Sequence, residues 1–138
     1  MISARNQIDV TVTEINKGAV GTTVALTTPK GIRMYAAITK ESADAMQLET
    51  GDKVVAFFKS TNVLIATGWA MSISARNKFE GDIKTISRGA VNTEVAVTLA
   101  SGEIIKAVIT TDAVEDLALE ENDSVLAIVK ASDVMIAK

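Results

Sequence analysis

Polar and apolar residues alternate along the start of the chain. Ile8, Val10 and Val12 interleave with Asp9, Thr11 and Thr13, the period-2 pattern of a strand with one face in water. The same rhythm returns later, where Phe79, Gly81 and Ile83 interleave with Glu80, Asp82 and Lys84. Turn signals follow each run, at Lys17-Gly18 and Arg88-Gly89. A second strand is predicted over about 22–28. It turns through Pro29-Lys30-Gly31, matched later by Ala100-Ser101-Gly102, into a third strand near 33–39. The next stretch, Lys40 to Leu48, is rich in helix formers and poor in β-branched residues, and Thr39 is placed to cap it. One short helix is expected there, then strands over 53–60 and 63–67 joined by a tight turn.

This order is written twice. Shifting the sequence against itself by 71 positions aligns residues 2–67 with 73–138 without a gap, and 26 of the 66 pairs are identical. A tandem duplication is the only economical reading. Five short strands with a helix between the third and fourth is the order of a small Greek-key barrel of the OB type. The expected fold class is therefore all-β: two tandem OB-type five-stranded barrels, each with one short helix. The expected domains are 1–67 and 73–138, with 68–72 as linker. The fourth strands, Val54-Val55-Ala56-Phe57-Phe58 and Val125-Leu126-Ala127-Ile128-Val129, do not alternate, so burial of both faces is expected. One face would serve the barrel and the other a neighbour, which predicts a homo-oligomer.

Composition narrows the chemistry. The 48% hydrophobic and 22% charged residues describe a folded protein, no run is long enough to cross a bilayer, and no basic-then-apolar leader opens the chain. A cytoplasmic protein without a membrane partner is expected. Zero Cys and zero His remove thiolate nucleophiles, zinc fingers and most transition-metal sites, so no protein-ligated metal is expected. The net charge of −3 argues against general nucleic-acid binding. Without His, Cys or a convincing carboxylate pair, little remains for acid–base or nucleophilic work, so the chain is not expected to be an enzyme. Asp52 and Asp123 recur, but as turn residues.

What the repeats preserve are hydrogen-bond donors. Ser3, Ala4, Arg5 and Asn6 open the first unit, and Ser74, Ala75, Arg76 and Asn77 open the second. An Arg fork, a hydroxyl and nearby backbone N–H groups can converge on one oxyanion. A second group is Lys59-Ser60-Thr61, matched by Lys130, Ala131 and Ser132, and a third is Thr39 with Ser42. Three donor groups with no obligatory acidic partner suit a tetrahedral oxyanion. Plainer roles stand beside this: surface ion pairs for the arginines, solvated strand ends for the lysines, helix caps for Thr39 and Ser42.

ISARN at the start of each unit, Gly-Ala-Val near residue 18 and a K-[SA]-[ST]-x-V-x-I segment at the unit's end together resemble the molybdate-binding Mop-domain, or molbindin, family. The two-unit arrangement, covering essentially the whole chain, is similar to the di-Mop molbindins. The resemblance implies an OB-type fold, a trimer of two-unit chains, and molybdate or tungstate bound between units without an organic cofactor. It also implies that Ser3 and Arg5, with backbone around Ala4 and Asn6, hold oxyanion oxygens together with Lys59 and Ser60. Ser74, Arg76, Lys130 and Ala131 would do so in the second unit, with Thr39 and Ser42, or Thr110, completing the shell. Ala113 stands where Ser42 does, and Ala131 where Ser60 does, so two site classes of unequal affinity are expected. The Gly18-Ala19-Val20 and Gly89-Ala90-Val91 turns are candidates for the family's three-fold-axis sites.

The function implied is cytoplasmic molybdate or tungstate binding for storage or homeostasis. Two alternatives belong to other classes. A molybdate-responsive regulatory module would need a partner. An OB-fold single-strand binder would need stacking aromatics and a basic groove, and the few aromatics here sit in an acidic chain.

Overall fold

The computed structural model describes residues 2–68 and 72–138. In chain order these residues form β1 (Asn6–Lys17), β2 (Thr22–Thr27), β3 (Arg33–Ile38), α1 (Lys40–Ala45), β4 (Lys53–Phe58), a 3-10 turn (Ser60–Asn62) and β5 (Leu64–Ala66). The second copy follows as β6 (Asn77–Arg88), β7 (Asn92–Leu99), β8 (Ile104–Thr110), α2 (Thr111–Asp116), β9 (Ser124–Val129), a 3-10 turn (Ala131–Asp133) and β10 (Met135–Ala137). The predicted order of strands and helices is thus present in both copies. The last two predicted strands are shorter than expected, because the residues between them are spent on a 3-10 turn.

The first strand of each copy is long because it serves two partners. The first half of β1 pairs with β4, from Asn6↔Phe58 to Thr11↔Lys53, and its second half pairs with β2, down to Lys17↔Thr22. A register shift between Val12 and Glu14 bends the strand between these tasks. Such a bulge adds twist and lets one strand turn a barrel corner. The same shift recurs in β6 between Ile83 and Thr85. At the following hairpins Gly31 and Gly102 take φ of +92° and +93°, a conformation that costs a side-chain-bearing residue and costs glycine nothing.

Both helices are shorter than their composition predicts. The chain leaves α1 through a residue with positive φ, Gln47, and the N–H groups of Gln47 and Leu48 return to the carbonyls of Asp44 and Ala43. These are the two bonds of a Schellman stop, and the buried Leu48 supplies its hydrophobic contact. Ala118 and Leu119 end α2 in the same way.

The sheets depart from the sequence repeats. Their strand orders are β10-β4-β1-β2-β3 and β5-β9-β6-β7-β8. The fifth strand of each copy therefore pairs with the fourth strand of the other: Met135↔Phe57 and Ala137↔Val55 in one sheet, Leu64↔Ile128 and Ala66↔Leu126 in the other. The chain accordingly divides into two compact units, residues 1–58 with 130–138 and residues 59–129. The repeats 1–67 and 73–138 remain real as sequence, whereas the first folded unit ends at Phe58 and recovers its last strand from the second repeat. Of the expected linker 68–72, residues 69–71 lie outside the described residues.

In the first unit the core is Val12, Val24, Leu26, Met34, Ala36, Ala56 and Phe58, with Val134 and Ile136 from the exchanged segment. In the second it is Ile83, Val95, Val97, Ile105, Ala107, Val114, Leu119 and Ala127, with Val63 from the first repeat. Each large side chain so buried contributes about 1.5–3 kcal/mol. The exchanged strands reach the far edge of their sheets, β10 lying against β3 and β5 against β8, which closes each barrel. The fourth strands are not buried on both faces throughout. Val54, Ala56 and Phe58 are buried while Val55 and Phe57 keep partial exposure, whereas Ala127, Ile128 and Val129 are all buried.

Candidate functional site

The ISARN segments lead into β1 and β6, and their burial alternates. Ala4 and Asn6 point inward, with Asn6 only 2% exposed, while Ser3 and Arg5 face solvent; Ala75 and Asn77 against Ser74 and Arg76 repeat the pattern. Extended backbone places alternate residues on opposite sides, so each Ser–Arg pair shares one outward face. In the first copy Gln7 fastens this segment, its Nε2 donating to the carbonyls of Ile2 and Ala4 at 3.0 and 2.9 Å. Lys78 stands in that place in the second copy.

The β1–β4 ladder ends at Asn6↔Phe58, and the next residue along each strand is a cation, Arg5 on one and Lys59 on the other. The β6–β9 ladder ends at Asn77↔Val129 and is followed in the same way by Arg76 and Lys130. Lys59 and Lys130 are the N-cap residues of the two 3-10 turns, and both are exposed. Among the described residues neither lysine pairs with a carboxylate. The residue after each differs: Ser60 is 6% exposed, Ala131 half-buried, and Ser132 exposed.

Strand exchange decides what these turns pack on. Within the second unit the turn Ser60–Asn62 lies against β8, which ends at Thr110. Within the first unit the turn Ala131–Asp133 lies against β3, and Thr39 is the next residue of that strand. The K-[SA]-[ST] element of each repeat is thus brought to the third strand of the other repeat.

Thr39 and Thr110 are helix N-caps; of the plainer roles read for Thr39 and Ser42, the cap belongs to Thr39, and Ser42 supplies the N–H that it accepts. Thr39 Oγ1 accepts the N–H of Ser42 at 3.1 Å and donates to Ser42 Oγ at 2.9 Å. Thr110 Oγ1 accepts the N–H of Ala113 at 3.1 Å and, with no hydroxyl at residue 113, keeps its proton for another acceptor.

Ion pairs among the described residues include Lys17–Asp44, Arg33–Glu14, Lys106–Glu94 and Lys138–Asp52. The last is the tightest. Lys138 Nζ sits 3.0 Å from Asp52 Oδ2 and donates to the Gln47 carbonyl at 2.9 Å. The Asp52 carboxyl is held below its usual range, first by the Glu49 backbone N–H it accepts and then by Lys138. Sequence spacing could not find this contact, because it depends on which unit receives β10.

Two surface cavities lie away from the donors. One, of about 290 Å³, is lined by Gly81, Leu99, Val125 and Leu126 beside Glu80 and Asp82; the other, of about 430 Å³, by Val10, Val54 and Val55 beside Lys53 and Lys138. Their largely apolar walls offer an oxyanion little. Among the described residues no three His, Cys, Asp or Glu are grouped to hold a metal, and no helix is long and apolar enough to cross a membrane.

The sequence matches the TOBE domain twice, over residues 2–65 and 73–136. The molybdenum transport protein ModE of Herbaspirillum seropedicae is 37% identical over 136 residues, which is 98% of this chain and 51% of that protein. The molybdenum-pterin-binding protein MopA of Rhodobacter capsulatus is also 37% identical over 136 residues, with the same two coverages. The chain thus spans about half the length of the curated relatives it matches. Among solved structures, that of the cytoplasmic molybdate-binding protein ModG with molybdate bound superposes with a TM-score of 0.94 at 40% identity, covering 99% of this chain and 97% of that one.

Proposed function

The chain belongs to the TOBE domain family, and we propose from that premise that it is a non-catalytic binder of molybdate. The observation that carries this reading is the near-complete likeness to the molybdate-binding ModG. The arrangement of donors supports it. Molybdate brings its own four oxo ligands, so it needs N–H and O–H donors and no imidazole or thiolate. The outward Ser3–Arg5 and Ser74–Arg76 pairs, backbone at Ala4, Asn6, Ala75 and Asn77, and the Lys59-Ser60 and Lys130-Ala131-Ser132 turns form the proposed donor set. Thr39 with Ser42, and Thr110, complete it. Charge-assisted bonds from Arg and Lys strengthen where water is excluded. Tungstate, with the same charge and shape, is accepted by the same donors.

The proposed setting is a homotrimer in the cytoplasm, acting in storage or homeostasis. A regulatory reading stands second, favoured by the matched length of two relatives: about half of the Herbaspirillum ModE and of the Rhodobacter MopA lies outside the match, as for a binding module attached to another activity. Direct nucleic-acid binding by these two barrels is disfavoured by the net charge of −3 and by the partial burial of Phe57 and full burial of Phe58.

Isothermal titration of the purified protein with molybdate tests the reading. Binding at micromolar concentration or tighter is expected, weakened at least tenfold by Arg5→Ala and by Arg76→Ala. Absence of both heat and thermal shift rejects it. A gel shift with oligo-dT at low salt, expected to be negative, separates the nucleic-acid reading.

A further inference from the structure

The two β-hairpins that carry the Gly-Ala-Val tips are fastened differently. In the second unit Thr111, the first residue of α2, ties the hairpin three times. Its N–H donates to the Val91 carbonyl at 2.8 Å, its hydroxyl donates to the Gly89 carbonyl at 2.8 Å, and the buried Thr93 hydroxyl lies 2.8 Å from the Thr111 hydroxyl oxygen. Since the Thr111 proton goes to Gly89, the Thr93 hydroxyl is the donor in the third bond. The first repeat keeps Gly18, Val20 and Thr22 at the matching positions but has Lys40 in place of Thr111. Among the described residues Lys40 makes none of these bonds, and Thr22 Oγ1, on a residue only 1% exposed, has no hydrogen-bond partner.

Two further observations agree. The β7–β8 ladder runs one pair further toward the tip, to Asn92↔Thr110, where the β2–β3 ladder stops at Thr22↔Ile38. Val20 is 102% exposed, against 72% for Val91. An unpaired buried hydroxyl is costly and demands a partner.

We propose that the hairpin 18–21 of the first unit is an open latch, a strap whose closing oxygen comes from outside the chain. The site takes one oxygen that both accepts from Thr22 and donates to the Gly18 carbonyl. Water does both; an unprotonated oxyanion has no proton for Gly18 and is the wrong chemistry there. Ile38, which pairs with Thr22, directly precedes Thr39, so the latch adjoins the Thr39–Ser42 pair in the first unit as the Thr111 tie adjoins Thr110 in the second.

Amide hydrogen exchange followed by NMR on the full chain tests this. In the wild type the residue 40 amide and the tip amides 19–21 are expected to exchange at least tenfold faster than the residue 111 amide and tip amides 90–92. Lys40→Thr supplies the missing hydroxyl and should slow exchange at residue 40 at least tenfold and raise Tm; Thr111→Lys should release the second hairpin. Thr22→Val should leave Tm unchanged or raise it, whereas Thr93→Val should lower it. Equal exchange at the two hairpins, or a Lys40→Thr chain that folds without slowed exchange at residue 40, overturns the latch. Saturating molybdate should leave amides 19–21 unaffected, and slowing there that Lys40→Thr abolishes would overturn the assignment of the site to a donating oxygen.

Discussion

Ile136→Ala removes a side chain from the exchanged strand β10, and its effect should appear in a unit that the sequence repeat does not name. Ile136 is buried, and its strand pairs with β4 through Met135↔Phe57, Ile136↔Ala56 and Ala137↔Val55. Truncating a buried Ile to Ala costs about 2–5 kcal/mol, depending on how far the site collapses. Ile136 keeps 8% exposure and sits on a three-residue edge strand, so the lower part of that range, about 2–3 kcal/mol, is expected. At 1.4 kcal/mol per decade this raises the population of the opened unit by about 30- to 140-fold. Native-state hydrogen exchange resolves where the opening occurs, since separate cooperative units open with their own free energies. Amides of β1 and β4 should lose that protection, and those of β6 and β9 should keep most of theirs. Ile65→Ala, in β5, should give the reverse pattern. Loss centred on β6 and β9 after Ile136→Ala would mean that the fifth strand stays with its own repeat, and the exchanged topology would be refuted.

Three other perturbations test separate parts of the structure. Because the Asp52 carboxyl titrates below its unfolded value, its contribution to stability is complete above about pH 4 and is lost as pH falls through the lower folded value. Lys138→Met should therefore flatten the acid limb of a pH–Tm profile, and added salt should mimic part of the change, as for any exposed pair. Gly81→Val, which copies Val10 into the second unit, would set its Cβ 2.6 Å from the Thr98 carbonyl oxygen and 2.7 Å from Val97 Cγ1. Backbone must move, so denaturant titration should show a loss of about 1–3 kcal/mol. Thr110→Ala removes the hydroxyl that caps α2, and thermal unfolding should report a loss of about 1 kcal/mol.

Local physics carried most of the secondary structure into the sequence. Alternation at Ile8, Val10 and Val12 reports one wet strand face, Gly31 and Gly102 report their turns, and Thr39 reports a helix start. Each of these signals is spent within a few residues. The choice of partner for the fifth strands is of another kind. Val63-Leu64-Ile65-Ala66 and Val134-Met135-Ile136-Ala137 present almost the same side chains to almost the same fourth strands, so pairing energy scarcely separates own from exchanged partners. Geometry decides: the 3-10 turns after Phe58 and Val129 commit the chain to β8 and β3. The Lys138–Asp52 contact and the Thr93–Thr111 tie were hidden for a related reason. Both depend on three-dimensional neighbours, and an unremarkable pair such as Lys40 and Thr111 gains meaning only beside the hydroxyl it leaves unpaired or satisfies.

The exchange also bears on how hydroxyls are shared. Along the sequence, the first repeat holds Ser42 and Ser60 where the second holds Ala113 and Ala131, so all the loss falls on one copy. The folded units sort these residues otherwise. Ser60 lies in the same unit as Ala113, and Ala131 in the same unit as Ser42. Each unit therefore holds one serine and one alanine of the four. The serines are not equivalent: Ser60 is nearly buried at the head of a 3-10 turn, while Ser42 is exposed and already receives the Thr39 proton. A buried hydroxyl aligned by its turn loses less entropy on binding than an exposed one that must give up a local partner. If the proposed oxyanion sites differ in affinity, the cause lies in the setting of the one hydroxyl each unit retains, because the number of hydroxyls is the same in both.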